Sequence, residues 1–297
     1  MLLSTNLIFG RSIAGHVAPF LTAFLRWSGT VVLLFPLLWR YRAECLAFVR
    51  GNTGLWLLAG TLGMVICGGV VYLSLEHTSA TNATLIYATS PLFVLAMDAL
   101  INDRRIAARE FIGMCLATMG IAAIAFNGDV SAAYSLAFNP GDVGILLAAM
   151  SWAGYTLILR SSRFGSLPSA AALGVMGFAG AVILLPFAGW EVATGAPVPA
   201  RLADWATLAG MVLVSSVFAY IAMQYAVRRV GASATSLTMY LTPISSAVMA
   251  TLFLGEQIHP YHVMGMALVL VGLALATARM KYGRLRRAGG PKSPRKS

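Results

Sequence analysis

Ala80-Thr81-Asn82-Ala83-Thr84-Leu85-Ile86-Tyr87-Ala88-Thr89-Ser90-Pro91-Leu92 and Ala232-Ser233-Ala234-Thr235-Ser236-Leu237-Thr238-Met239-Tyr240-Leu241-Thr242-Pro243-Ile244 are two versions of one stretch, 152 residues apart. Each passes from small residues into apolar ones and reaches a proline at the same place. Held at that shift, the match runs on through Leu100/Leu252, Ile106/Ile258, Gly113/Gly265, Met114/Met266, Leu116/Leu268, Gly120/Gly272 and Ala122/Ala274. Near the front of each half the shift is 149, with Arg11/Arg160, Ser12/Ser161 and Pro19/Pro168 in register. Small loop insertions account for the drift. Apolar composition alone does not align prolines, glycines and arginines, so the chain reads as an internal duplication.

The duplicated material is suited to lipid. Of 297 residues, 59% are hydrophobic and only 10% charged, against about 25% charged in a soluble domain. The apolar segments mostly run near the roughly 20 residues that cross a hydrocarbon core, and their many Gly and Ala suit helices packed closely in a bilayer. The expected spans are Met1–Ala14, Val17–Trp39, Leu55–Leu75, Thr81–Ile101, Phe111–Phe126, Val143–Leu159, Ser169–Trp190, Trp205–Val227, Ala232–Leu254 and Tyr261–Ala278. The first is short, which suggests that several residues precede Met1. Each half holds five spans, an odd number, so the second half enters the membrane from the opposite side. The expected fold is an all-α polytopic membrane protein, with ten transmembrane helices as two inverted five-helix repeats over 1–127 and 140–279.

Charge sets the orientation. With the N-terminus inside, the internal loops and tail hold eighteen basic residues and the external loops only Arg201. Eight of these lie in the 19 positions from Arg279 onward, so residues 280–297 read as a basic cytoplasmic tail facing anionic headgroups. The net charge of +11 therefore marks topology; a nucleic-acid groove would need a folded basic face with interleaved aromatics. Cys45, Cys67 and Cys115 are odd in number, and two lie in apolar segments, which points to packing rather than a disulfide framework.

Motifs for other chemistry are missing. There is no Gly-rich phosphate loop, no Gly-x-Ser-x-Gly, no His-Glu-x-x-His and no Cys-x-x-Cys, and the first lysine is Lys281. No catalytic residue, metal or cofactor is expected. His259-x-x-His262 reads as a surface feature and Gly174-x-x-Gly177-x-x-Gly180 as a packing seam. Polar and aromatic groups instead collect on three repeat-related pairs of spans. Asn6, Tyr72, Tyr87, Ser90, Trp152, Tyr155, Tyr220, Gln224, Thr238 and Tyr240 are the candidate substrate-binding set, because amide and phenol groups are awkward against lipid tails. Tyr72 and Tyr225 lie near span ends and could belong to an interfacial belt. Arg26 lies inside the second span, as a structural anchor or a substrate contact. Pro91 and Pro243 are matched candidate hinges. Glu76 and Asp98, near span ends, are candidate structural or coupling groups, and the remaining acids also avoid the midplane. That leaves a neutral, aromatic and amide-lined site as the expectation.

The order of motifs resembles the ten-helix branch of the drug/metabolite transporter superfamily, the EamA-type exporters, over nearly the whole chain. Ser4-Thr5-Asn6-Leu7 matches the polar part of the family's first-helix pattern, with Leu3 where Trp is usual. Trp152-Ala153-Gly154-Tyr155 is its counterpart in the second half. Phe24-Leu25-Arg26-Trp27 matches the second helix, Ser79 through Ser90-Pro91-Leu92 the fourth, and Gly255-Glu256 a helix end that Asn102-Asp103-Arg104 replaces in the first half. The resemblance implies a secondary transporter in the inner (plasma) membrane. It would export small molecules, amino acids or related metabolites, by alternating access. A broad-specificity drug efflux carrier, and a receptor or scaffold without transport, are the alternatives.

Overall fold

In hydrocarbon every backbone amide must be satisfied within its own segment, so apolar segments of this length become helices. The computed structural model describes residues 5–78, 80–103, 105–126, 128–129, 139–161, 163, 167–241 and 260–277, and these contain helices and no strand. In chain order the helices are α1 (Thr5–Ile13), α2 (Pro19–Arg40), α3 (Arg42–Gly51), α4 (Thr53–His77), α5 (Ala80–Tyr87), α6 (Ser90–Ile101), α7 (Ala108–Ala125), α8 (Pro140–Ile158), α9 (Ser169–Ala193), α10 (Leu202–Val230), α11 (Ala232–Ser236) and α12 (Pro260–Thr277). Five of them, α2, α4, α8, α9 and α10, are long and apolar enough to cross a membrane. Pro243, Thr242, Gly255-Glu256, His259 and the tail 280–297 lie outside the described residues.

Two sequence expectations change. Arg42–Gly51, read as a loop, is the amphipathic helix α3. Cys45 and Phe48, three residues apart on one face, are buried, and the Arg42 guanidinium lies 4.9 Å from the Trp39 ring centroid. The span Thr81–Ile101 is not one kinked helix. It stops at Tyr87 and restarts at Ser90, which puts Pro91 in the first turn of α6, where its missing N–H interrupts nothing. Around the break, the Thr89 hydroxyl donates to the Ile86 carbonyl and the Ser90 hydroxyl to the Tyr87 carbonyl, each at 2.6 Å.

Close helix contacts are made at glycines. A Cβ on Gly113 would stand 2.5 Å from the Gly272 carbonyl oxygen, and one on Gly120 would stand 2.5 Å from that of Gly265. α7 and α12 thus cross backbone against backbone, where only glycine fits. The contact reads the same from either helix, since Gly113 pairs with the counterpart of Gly120 and the reverse. On the other side α9 lies along α2 and α4. A Cβ on Gly174 would meet Leu38 at 2.9 Å, and one on Gly60 would meet Ala179 at 2.5 Å. The expected packing role of the Gly174 seam is what the structure has.

Both α4 and α10 widen in the middle into π-helix, at Thr61–Val70 and Met211–Phe218. These stretches also stand one repeat apart in sequence. π-Helical turns often accompany functional sites, and both border the most polar part of the buried core.

Candidate functional site

Arg26 is completely buried in α2. A charged side chain at a helix centre in a membrane costs roughly 2.5–3.5 kcal/mol on insertion scales, so its donors must be satisfied. Nη1 donates to Asn6 Oδ1 and to the Tyr72 hydroxyl, each at 2.8 Å. Nε donates to Ser216 Oγ at 2.6 Å, and Nη2 to the Ser215 carbonyl at 3.3 Å. The Tyr72 hydroxyl in turn donates to Asn6 Oδ1 at 2.8 Å. No carboxylate is among these partners. Asn6 and Tyr72 come from the same half of the sequence as Arg26; Ser215 and Ser216 come from the other.

An aromatic cluster adjoins the guanidinium. Its Cζ lies 4.7 Å from the Trp27 ring centroid and 5.8 Å from that of Tyr220. Tyr220 meets Trp27 edge-on at 5.2 Å and Trp152 edge-on at 5.7 Å, and its centroid is 6.0 Å from that of Tyr155. Edge-to-face contacts of this kind are favourable beyond their buried area. Gly63 makes room for Tyr155, because a Cβ there would stand 2.6 Å from the ring. The π-helical stretches supply acceptors. Trp27 Nε1 donates to the Met64 carbonyl at 3.2 Å, and the Tyr220 hydroxyl to the Gly63 carbonyl at 3.3 Å. Gln224 Nε2 donates to the Tyr155 hydroxyl at 3.4 Å. Two buried polar atoms, Gln224 Oε1 and Trp152 Nε1, have no hydrogen-bond partner among the described residues.

A second polar cluster lies at one end of α6. Asp98 accepts from Arg160 at the end of α8, from Ser233 Oγ of α11 at 2.8 Å, and from Asn102 Nδ2 at 2.7 Å. Asp98 is buried, whereas the Arg160 side chain is 40% exposed. Other ties join the sequence halves elsewhere. Thr78 donates to Asp142, which is also held by Asn139. Glu191 caps the first amides of α2, accepting from the Phe20 and Leu21 N–H groups at 3.1 and 2.7 Å.

Six of the ten residues expected to bind substrate therefore gather around Arg26 and its rings: Asn6, Tyr72, Trp152, Tyr155, Tyr220 and Gln224. Tyr87 and Ser90 lie at the break between α5 and α6, and the Tyr87 hydroxyl reaches Cys67 at the margin of the same cluster. Thr238 and Tyr240 stand apart. Thr238 is exposed, and Tyr240 is buried beside α7, its hydroxyl 3.3 Å from Thr118 Oγ1. Tyr72, a candidate of the substrate-binding set despite its place near a span end, is central, bonded to Arg26 and Asn6. Glu76 is exposed. The expectation of a neutral lining gives way at Arg26. Sequence reasoning met Trp27 only as part of the second-helix motif and passed over Ser215 and Ser216. A polar pair inside an apolar span was the available signal for the serines; the carbonyls of Gly63 and Met64 carried none.

The EamA-like transporter family matches residues 1–126 and 139–278. The chain belongs to that family. It is similar to the uncharacterized transporter YyaM of Bacillus subtilis (strain 168), at 23% identity over 89% of this chain and 86% of that one. An uncharacterized transporter of Archaeoglobus fulgidus is 28% identical over 88% of each chain. A protein of Streptantibioticus cattleyicolor named "Probable terminal-alkyne amino-acid exporter" is 27% identical over 79% of this chain and 76% of that one. A crystal structure superposes with a TM-score of 0.74 at 17% identity, covering 95% of this chain and 94% of the other, and so shares the fold. Family membership and the apolar helices make the protein an integral membrane transporter and not an enzyme.

Proposed function

We propose that the protein is a ten-helix secondary transporter of two inverted five-helix repeats, 1–127 and 140–279, exporting amino acids or related small metabolites by alternating access. The observation that carries this reading is the Arg26 site: a buried polar and aromatic cluster inside membrane helices, built from both halves of the chain. A transporter needs its polar groups at the meeting of its halves, where each conformation exposes them to one side. The reciprocal glycine contact between α7 and α12, the paired π-helical stretches, and the break before Pro91 matched by the 3-10 turn Leu237–Tyr240 before Pro243 all support the duplication. The named exporter among the relatives supports the substrate class. The excess of basic residues in alternate loops supports a topology with both termini in the cytoplasm and the tail against anionic headgroups of the inner membrane.

The test is counterflow. Proteoliposomes holding the purified chain and loaded with a mixture of unlabelled amino acids are expected to accumulate a labelled amino acid transiently, and protein-free liposomes are not. Failure of every amino acid to exchange overturns the substrate class.

A further inference from the structure

We infer that the Nε–Nη2 edge of Arg26 is the seat for a carboxylate of the transported solute. This rests on the transporter reading and adds to it the ligand group and the residue that takes it. An arginine that only anchored helices would be expected to meet an acid, because a buried unpaired charge is costly. Here the guanidinium donates, among the described residues, to neutral oxygens, namely Asn6 Oδ1, the Tyr72 hydroxyl, Ser216 Oγ and the Ser215 carbonyl, and lies beside the Trp27 and Tyr220 rings with no acid next to it.

Those four partners divide by origin. Nη1 is held by Asn6 and Tyr72, from the half of the chain that carries Arg26 itself. Nε and Nη2 are covered by Ser216 and Ser215, consecutive residues of α10 in the other half. Two oxygens side by side on the Nε–Nη2 edge occupy the places that a bidentate carboxylate fills. A movement of α10 away from α2 would take the serines with it, while Tyr72 on α4 keeps hold of Nη1. The edge then opens already oriented, and its outgoing partners are neutral groups that an anion displaces readily.

Charge selects the anion. One guanidinium with no acid beside it is matched by a single carboxylate group, whereas a phosphate dianion would bring excess negative charge into a medium of low dielectric. Groups that would meet the rest of the solute adjoin that edge. Ser216, Tyr220 and Gln224 follow at four-residue steps along α10 and so share a face. Around them lie the rings of Trp152 and Tyr155, and Trp152 Nε1 and Gln224 Oε1, the atoms of this cluster without a hydrogen-bond partner among the described residues, offer one donor and one acceptor. A carboxylate with a neighbouring amino group and an apolar or aromatic side chain suits that arrangement.

The experiment uses the full chain in detergent and measures binding by quenching of intrinsic tryptophan fluorescence. The probes are phenylalanine against phenylalaninamide, and 3-phenylpropanoate against 3-phenylpropanamide, the second pair differing only in the acid. Each acid is expected to bind at least tenfold more tightly than its amide. Arg26→Gln is expected to bring each pair within twofold, and Arg26→Lys to keep part of the preference. Should Arg26→Gln fail to fold, the wild-type ratio and Ser216→Ala decide, since Ser216→Ala frees the edge without removing the charge and is expected to keep the preference. The proposal is overturned by equal binding of acid and amide in the wild type, by a preference that survives Arg26→Gln or is lost in Ser216→Ala, by phenyl phosphate binding more tightly than 3-phenylpropanoate, or by no binding of any probe. Counterflow of the same probes separates the two readings. Acid-selective binding without exchange overturns transport and leaves the seat standing; exchange without acid selectivity overturns the seat alone.

Discussion

Arg26 and Asp98 are both buried, and each is bonded from both halves of the sequence, yet their partners differ in kind. Asp98 meets an opposite charge, and that arginine, Arg160, reaches out to solvent. Arg26 meets amide, phenol, hydroxyl and carbonyl oxygens and no acid among the described residues. The ion pair at Asp98 is satisfied by protein alone and can give way to water, so it works as a clasp between α6, α8 and α11. The neutral shell at Arg26 satisfies hydrogen bonds without cancelling charge. A membrane protein holds such a charge where something that comes and goes completes it.

Substitutions at the two clusters should therefore separate in what they damage. The largest effect on stability is expected from Asn6→Leu. Its oxygen accepts from both Arg26 and Tyr72, and leaving buried donors without a partner costs about 1–3 kcal/mol, more for a charged group. Thermal unfolding in detergent should show a clear fall in Tm, and an unchanged Tm would mean that the Arg26 shell is dispensable. Asp98→Asn is expected to cost less than about 1 kcal/mol, because Arg160 is partly exposed and retires to water. Its counterflow rate should change several-fold, since a tie between α6, α8 and α11 is loosened. An Asp98→Asn Tm falling further than that of Asn6→Leu would erase the contrast. Glu76→Gln sharpens it from below. Glu76 is exposed, so its substitution should stay within about 0.5 kcal/mol and leave counterflow within twofold. A larger loss would restore Glu76 as a coupling group.

Much of this arrangement can be read in the sequence, and its limits have physical causes. The helical segments follow from apolar length, and the glycines of the α7–α12 crossing are those that the 152-residue shift aligns. Arg26 stands out because a lone charge in an apolar span is conspicuous. Tyr72 was harder: distance from a predicted span end says little about depth once α4 runs on to His77 and a π-helical stretch turns its later residues. Tyr240 and Thr238 were included through the repeat, but related places in sequence do not give related side-chain directions when the helix tightens into a 3-10 turn at Leu237–Tyr240. The helix α3 was hidden by its charges, since Arg42, Glu44 and Arg50 mask a short apolar stripe at Cys45 and Phe48.

The π-helical stretches make the site depend on chain length as well as on residue identity. A π-helical turn accommodates more residues than an α-helical one, and each residue of an α-helix turns the chain by roughly 100°. Were the wide turns of Thr61–Val70 to close into α-helix with the residue count unchanged, everything after them would swing about the axis. Tyr72 would then point away from Arg26 although every side chain were unchanged. The same arithmetic holds for Met211–Phe218 ahead of Tyr220 and Gln224. In this protein, then, spacing is itself a heritable determinant of the site: Tyr72, Tyr220 and Gln224 keep their directions only while the turns ahead of them stay wide.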